Sequence, residues 1–241
     1  MMLKVRQLTS VLALTGTVFA AAACGGNANP AASGQAQITP VITSQKASTC
    51  VQVTDPEVQM PVDANKQQFS APEQVVDPTH SYCAIFQVEH GRFVIQLYPQ
   101  NAPKNVNNFV FLASRGFYDG VPFHRVIPGF MAQTGDPTGT GAGGPGYDNI
   151  PLEASGPLKY DKPGVVGVAR TSVPDSAGSQ FFITFDPAPF LDNQYTIIGQ
   201  VVLGMEVVNQ IKIRNTDNDP NAASITPEKL LSVRIVDIGA Q

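Results

Sequence analysis

Arg125 stands inside an otherwise largely apolar stretch, FHRVIPGFMAQTGD, which covers residues 123–136. Arg is among the residue types that are least often buried without a partner. Met131 and Gln133 follow a few residues later, so the stretch combines one cation and one amide with several apolar side chains. Either Arg125 lies on the solvated side of a strand, or a site requires a fixed cation beside an apolar pocket.

Residue parity indicates that several strands contribute to one surface. In a strand, residues two positions apart share a face. The sets that share a face in this way are Phe123, Arg125 and Ile127; Met131 and Gln133; Gln180 and Phe182. For each strand alone, a solvated outer face is the simpler interpretation. Together the three sets predict a shallow apolar pocket that is bordered by one cation and two amides, with Phe181 and Ile183 pointing the other way, into the core.

Other chemistries find little support in the sequence. Residues 139–144, GTGAGG, match the pattern G-x-G-x-x-G, but Pro145 and Gly146 follow and cannot open the helix that a dinucleotide site requires. No G-x-S-x-G motif surrounds the serines of residues 172–179, so a hydrolytic triad is unsupported. No His/Cys spacing indicates a metal site, and we expect neither a metal nor a cofactor.

Composition favours an all-β fold and argues against a nucleic-acid-binding protein. The chain has 241 residues, of which 43% are hydrophobic and only 14% charged, with 21 Gly and 20 Pro. Abundant turn residues and few charges suit many short strands better than helices. The net charge is −4 and no cluster of Lys and Arg occurs, so the basic footprint of a nucleic-acid-binding protein is absent from the sequence.

The apolar patterns predict a sheet of many short strands with two helices. Two apolar runs joined through His90-Gly91 predict a hairpin, and residues 101–116 predict a helix with Asn101 as its cap and Gly116 at its end. A short helix is expected within residues 204–213. Further strands are expected within residues 121–127, 130–135, 163–170, 179–185, 195–202 and 230–238. These elements suggest a closed antiparallel β-barrel with helical caps.

The N-terminus has the features of a secretory signal. Lys4 and Arg6 precede an apolar run that ends in small residues before Cys24, and the run is too short for a comfortable membrane span. The segment resembles a bacterial lipoprotein signal, which implies cleavage after residue 23 and lipidation of Cys24, although Ala21 stands where Leu is usual. Ordinary secretion is the alternative. Lipidation would tether the protein to a membrane without spanning it.

The chain after the signal divides into three parts. Residues 24–48 are small, polar and nearly uncharged, as in a flexible tether. Residues 49–80 form an N-terminal extension, and the main domain covers residues 81–241. Outside the cytoplasm, Cys50 and Cys83 are expected to form a disulfide; two unpaired thiols are the alternative.

The segments 123–136 and 177–185 (AGSQFFITF) closely resemble the two most specific motifs of the cyclophilins, a family of peptidyl-prolyl cis-trans isomerases. Segments 102–120 and 190–208 also match, in the same order, and the resemblance covers residues 81–241. It implies a closed eight-stranded antiparallel β-barrel capped by two α-helices, with the site on the outside of the barrel.

The resemblance also implies roles for individual residues. Arg125 takes the catalytic position, and Gln133 the position that holds it. The positions that bind substrate are His124, Phe130, Met131, Ala169, Arg170, Thr171, Gln180, Phe182, Phe190, Leu191 and Tyr195. Phe190 and Tyr195 stand where the best-known eukaryotic members carry Trp and His; Phe lacks the indole N–H donor, which argues against tight cyclosporin binding.

The sequence therefore predicts an isomerase of X-Pro bonds that assists the folding of extracytoplasmic proteins. Its partners would be proline-containing polypeptides and, through the lipid anchor, a membrane; we expect no nucleic-acid partner, and a monomer. The alternative is a module that binds proline-containing segments, as a chaperone, without requiring catalysis.

Overall fold

The computed structural model describes residues 49–52 and 68–240. The signal peptide, the tether with Cys24, and residues 53–67 of the extension lie outside the described residues. No helix in the described ranges is long and apolar enough to cross a lipid bilayer.

Eight antiparallel strands form a single sheet, as the alternation of apolar residues predicts. The strands are β1 (His80–Val88), β2 (Gly91–Leu97), β3 (Arg125–Ile127), β4 (Met131–Thr134), β5 (Val165–Val168), β6 (Phe181–Thr184), β7 (Ile197–Leu203) and β8 (Leu230–Ala240). Their order in the sheet is β3-β4-β6-β5-β7-β2-β1-β8. Every predicted strand segment overlaps one of these strands, although β7 and β8 end one and two residues later than predicted.

The predicted closure into a barrel is wrong. The strands β3 and β8 end the sheet, and no ladder joins them among the described residues. Near the two ends, the coil before β3 meets the start of β8 through an isolated bridge between Pro122 and Lys229 and a few neighbouring backbone hydrogen bonds, such as Leu230 N–H to Val121 O at 2.9 Å. The strand β3 is three residues long, and its outer edge is already occupied at Val126, which pairs with Arg214. The fold is therefore an eight-stranded antiparallel sheet with few helices.

The two predicted helices are present, but their ends differ from the prediction. The helix α1 (Pro103–Ser114) is preceded by Ala102 and has no side-chain cap, so Asn101 does not cap it. Glu153 acts instead: its carboxylate accepts from the backbone N–H groups of Lys104 (3.2 Å) and Asn105 (2.9 Å). The helix α2 (Met205–Val208) is a single turn.

Aromatic side chains fill the core between the sheet and α1. Phe86 stacks on Phe93 at 4.7 Å, and Phe181 meets Phe109 and Tyr118 edge to face. Phe181 and Ile183 point into this core, as parity predicts. Phe123 is also fully buried there. Its predicted alignment with Arg125 is wrong, because β3 begins only at Arg125 and parity does not extend back through the preceding coil.

The described part of the N-terminal extension packs on the domain. A disulfide joins Cys50 to Cys83 in β1. Val76 is buried in the core, and both its backbone N–H and that of Val75 donate to Asn107 Oδ1 in α1. Phe69 lies edge to face against Phe111 at 5.1 Å. The extension is thus attached through a covalent bond, a buried polar contact and apolar packing.

Candidate functional site

An open groove with a volume of about 500 Å³ lies on the outer side of strands β3, β4 and β6. Most of the residues that the sequence assigned to the site line it. They are Arg125, Phe130, Met131, Gln133, Ala169, Arg170, Phe182, Phe190, Leu191 and Tyr195. Gln194 lines it too, and nothing in the sequence pattern pointed to that residue.

Strand pairing places the cation beside the first amide. In the antiparallel pair β3–β4, Arg125 lies directly opposite Gln133. The Arg125 Nη1 donates to Gln133 Oε1 at 3.3 Å and lies 3.8 Å from the sulfur of Met131. The other edge of the guanidinium, Nε and Nη2, donates to both carboxylate oxygens of Asp217. Arg125 is therefore partnered on two sides, and its side chain keeps 29% of its surface exposed.

The two amides continue this chain of hydrogen bonds into a neighbouring loop. Gln133 Nε2 donates to Gln180 Oε1 at 3.0 Å. Gln180 Nε2 in turn donates to the carbonyls of Gly141 and Gly143, each at 3.0 Å. The orientation of both amides is thereby determined, so that Gln133 presents its oxygen to Arg125.

Asp136 holds that glycine-rich loop in shape. Its buried carboxylate accepts from the backbone and hydroxyl of Thr138, both at 2.7 Å, and from Gly141 N–H at 2.6 Å. Burial acts to raise the pKa of Asp136, but hydrogen bonds from Thr138, Gly143 and Gly141 outweigh it and lower the pKa to about 2. The carboxylate is therefore ionised at neutral pH, and its hydrogen bonds order the loop around it.

Three side chains form the apolar floor of the groove. Met131, Phe182 and Leu191 are 1%, 5% and 6% exposed, respectively, so only a small part of each side chain faces the groove and the rest is packed. Phe182 stacks on Tyr160 at 5.9 Å. Gly167 makes this packing possible, because a Cβ there would lie 2.4 Å from the Phe182 ring and 2.2 Å from Tyr160 Oη.

Aromatic side chains also form the rim. Phe190 is 68% exposed and its ring lies 5.4 Å from that of Phe130. On the other side, Tyr195 meets Phe182 edge to face at 5.7 Å, and the guanidinium of Arg170 lies over the Tyr195 ring at 4.9 Å. The rim therefore extends the apolar surface beyond the floor.

The backbone between β5 and the next loop is only partly free to bind a peptide. The Ala169 N–H donates to Gln180 O at 2.9 Å, and the Thr171 N–H donates to Ser176 Oγ at 3.0 Å. Arg170 donates from its side chain to the carbonyls of Gln194 and Thr171, both at 2.9 Å. Because these two N–H groups already donate within the protein, a peptide in this segment would have to bind to other backbone groups, such as the Ala169 carbonyl.

A second groove, with a volume of about 730 Å³, adjoins the first and shares Gln133, Ala169 and Arg170 with it. Thr171 and Gln180 line this second groove. Gln68 of the N-terminal extension also lines it, and its side chain donates to Gly144 O at 3.1 Å. The sequence did not indicate that the extension reaches the site, since the contact joins residues 76 positions apart.

The structure does not bring His124 to either groove. The residue is 4% exposed and lines neither groove. Burial lowers its pKa, against an opposing effect of the Asp136 charge. His124 lies in the coil immediately before β3 and is buried under the domain surface rather than in a groove.

The first groove combines hydrogen-bond donors with an apolar surface. Arg125 is held between an amide and a carboxylate and faces an apolar floor. In the described ranges, no cluster of His, Cys, Asp and Glu is arranged to hold a metal ion. The arrangement suits a reaction in which a substrate changes its shape and hydrogen bonding.

Comparisons with known proteins agree with this chemistry. Residues 83–239 match the family model described as cyclophilin type peptidyl-prolyl cis-trans isomerase/CLD. The chain is 40% identical over 158 residues to peptidyl-prolyl cis-trans isomerase-like 1 of Emericella nidulans, which covers 65% of this chain and 96% of that protein. It is 41% identical over 170 residues to a probable peptidyl-prolyl cis-trans isomerase of Brucella suis, with 66% and 84% covered.

Solved structures show the same likeness. A cyclophilin type peptidyl-prolyl cis-trans isomerase of Cryptosporidium parvum superposes with a TM-score of 0.58 at 30% identity, over 65% of this chain and 98% of that one. Another crystal structure of that protein, obtained in the presence of the dipeptide Ala-Pro, gives a TM-score of 0.57 at 30% identity, over 64% and 98%.

The matched family model and the relatives define the class of enzyme, the peptidyl-prolyl cis-trans isomerases. This chain belongs to the cyclophilin-type peptidyl-prolyl cis-trans isomerase family and is an enzyme of that type.

Proposed function

We propose that this protein isomerises X-Pro bonds in extracytoplasmic polypeptides and so assists their folding, with Arg125 as the catalytic residue and Gln133 as the residue that holds it. One observation carries this assignment: Nη1 of Arg125 lies beside Gln133 Oε1 and Met131 Sδ, at the edge of an apolar floor that can receive a proline ring.

The physical basis is the resonance of the imide bond. Its partial double-bond character gives a barrier of about 20 kcal/mol to rotation. At the half-rotated transition state the imide nitrogen regains its lone pair and becomes a hydrogen-bond acceptor. A guanidinium at that position stabilises the transition state more than either planar ground state. Arg suits this role because it stays protonated and holds its donors in a rigid plane.

Arg125 alone does not account for a large acceleration. A gain of about 10⁵-fold requires about 7 kcal/mol, whereas removing one preorganised donor typically costs about 2.7–4 kcal/mol. Binding of the proline ring by Met131, Phe182 and Leu191, with partial exclusion of water, supplies the remainder. The imide carbonyl swings while the ring stays in place.

Substrate would cross both grooves. With proline on the apolar floor, the preceding residues pass the Ala169 carbonyl and enter the second groove, beside Gln180 and Thr171. The structural relative crystallised in the presence of Ala-Pro supports a short proline-containing segment as the recognised unit.

Arg125→Ala is expected to lower kcat/KM for a proline-containing peptide about 10²–10³-fold, the range for loss of one transition-state donor. Isomerisation would be followed in a chymotrypsin-coupled assay. Arg115→Ala is the matched control, because Arg115 is likewise a partly exposed arginine in one ion pair, with Glu73, and lines neither groove. A loss below tenfold for Arg125→Ala would contradict the proposal.

The same variant separates catalysis from simple binding. If the protein is a proline-binding module, Arg125→Ala should retain its activity in cells, whereas Phe182→Ala should lose it through the damaged floor. An isomerase should lose activity in both variants.

We also propose that the protein acts outside the cytoplasm as a monomer, tethered to a membrane through lipid on Cys24. The disulfide between Cys50 and Cys83 supports an oxidising compartment, where such bonds persist. Mass spectrometry of the protein isolated from membranes is expected to show an N-terminus at Cys24 with acyl chains. A soluble protein cleaved elsewhere, without acyl chains, would support secretion instead.

A further inference from the structure

The guanidinium of Arg125 has two functionally different edges. The edge formed by Nε and Nη2 donates to Asp217 Oδ1 and Oδ2, at 2.7 and 2.5 Å. The remaining amino group, Nη1, is the one that contacts Gln133 and Met131 in the groove. Because the guanidinium is planar, fixing one edge also fixes the direction in which the other amino group points.

The loop that carries Asp217 is attached to the strand that carries Arg125. The backbone N–H of Val126 donates to Arg214 O at 2.9 Å, and the Arg214 N–H donates to Val126 O at 3.1 Å. The side chain of Arg214 also donates to His124 O. Three residues further on, the Asp217 N–H donates to Asn215 Oδ1 at 3.3 Å. Asp217 is thus presented to Arg125 from an anchored loop.

We propose that Asp217 is a positioning residue for Arg125: its carboxylate holds the Nε–Nη2 edge so that Nη1 faces the imide nitrogen of the substrate. This inference rests on the proposed catalytic role of Arg125. Asp217 lines neither groove, so it acts through the arginine and does not touch the substrate.

The exposure of the ion pair indicates that its loss should affect the isomerisation rate more than the folding stability. The side chains of Arg125 and Asp217 are 29% and 40% exposed, and ion pairs at such sites contribute little to folding stability. A long, rotamer-rich arginine side chain nevertheless loses its productive orientation when one of its two supports is removed. Gln133 alone would hold Nη1 through a single bond of 3.3 Å. The consequence is expected in the rate of isomerisation rather than in stability.

Asp217→Asn is the informative variant because it keeps the shape of the side chain and removes its charge. In the full-length protein, NMR exchange spectroscopy at saturating peptide should show the on-enzyme isomerisation rate falling about tenfold, since a 1 Å misplacement of a catalytic group can cost about 10²-fold. The peptide dissociation constant and the denaturant midpoint should stay unchanged. Asp217→Glu should recover part of the rate.

A spectroscopic signal reports the orientation directly. The Nε–H resonance of Arg125 should exchange slowly with solvent in the native protein and rapidly in Asp217→Asn. Asp219→Asn is the matched control, because Asp219 lies in the same loop and accepts from Asn221 N–H rather than from Arg125. It should change neither the resonance nor the rate.

An unchanged isomerisation rate in Asp217→Asn would overturn the inference. A raised rate would overturn it too, because it would mean that the carboxylate weakens the donor. A further loss of rate when Asp217→Asn is added to Arg125→Ala would also overturn it, because Asp217 would then act independently of the arginine. Arg125→Ala alone tests the proposed function. If it lowers the rate and Asp217→Asn does not, only the role of Asp217 fails; if it leaves the rate unchanged, the proposed function itself fails.

Discussion

Arg125, Gln133 and Gln180 form a chain of hydrogen bonds whose members lie on or beside three different strands. The first link was implied by the resemblance to the cyclophilins, and the register of β3 and β4 places residues 125 and 133 opposite each other. Asp217 was not predictable, since it lies 92 residues from Arg125 in a stretch rich in Asn, Asp and Pro that resembles an ordinary loop. Local pattern contains no information about which distant loop closes over a strand.

Acid should loosen the wall of the second groove through Asp136. Its pKa in the folded protein is about 2, below the ordinary value of 3.8, so the ionised carboxylate stabilises the fold above pH 3.8 and loses this effect as the pH falls through 2. The contribution is at most about 2.5 kcal/mol. Urea unfolding at pH values between 6 and 2 should show the free energy of unfolding falling more steeply in the wild type than in Asp136→Asn.

The comparison with Asp136→Asn isolates this carboxylate from others with lowered pKa values, such as Asp217, whose hydrogen bond from Arg125 persists in both proteins. Equal pH dependence in the two proteins would show that Asp136 does not hold the loop.

At the scale of elements, periodicity predicted which segments form strands but could not predict how the sheet ends. Each strand segment alternates or runs apolar over a few residues, and that signal is local. Whether β3 and β8 pair depends on the length of β3 and on Arg214 occupying its edge. Both are consequences of long-range packing, so the sequence pattern predicted closure where the described residues have an isolated bridge and a few backbone hydrogen bonds but no ladder between β3 and β8.

The start of α1 illustrates the same limit. Asn101 has the residue type and place of a helix cap, yet the donors at the start of the helix are satisfied by Glu153, which lies 48 residues from Asn105. A carboxylate at a helix N-terminus also interacts favourably with the helix dipole. A distant acidic residue can therefore replace a local cap, and sequence rules for capping cannot detect it.

For the whole molecule, the disulfide is expected to stabilise the fold without affecting catalysis. Cys50 and Cys83 are separated by 33 residues and line neither groove. Cys50→Ala should lower the free energy of unfolding by about 3–4 kcal/mol, as expected for a loop of this length, while kcat/KM stays at the wild-type value. Denaturant unfolding and the isomerase assay would measure the two effects.

Reductant provides the control for the disulfide. It should lower the stability of the wild type to that of Cys50→Ala and leave the variant unchanged. Equal stability of the oxidised wild type and the variant would contradict this role, and a changed kcat/KM would show that the extension influences the groove.

The sequence by itself determined the strand segments and the family, and it predicted that Arg125, Met131 and Phe182 border one apolar surface, because each depends on residue types and spacings within short stretches of chain. The tertiary structure alone decided which groups hold those residues in place: Asp217 on Arg125, Glu153 on α1, Gln68 on the second groove, and the open ends of the sheet. The physical reason is that these contacts join residues tens of positions apart, so they exist only once the intervening chain has folded.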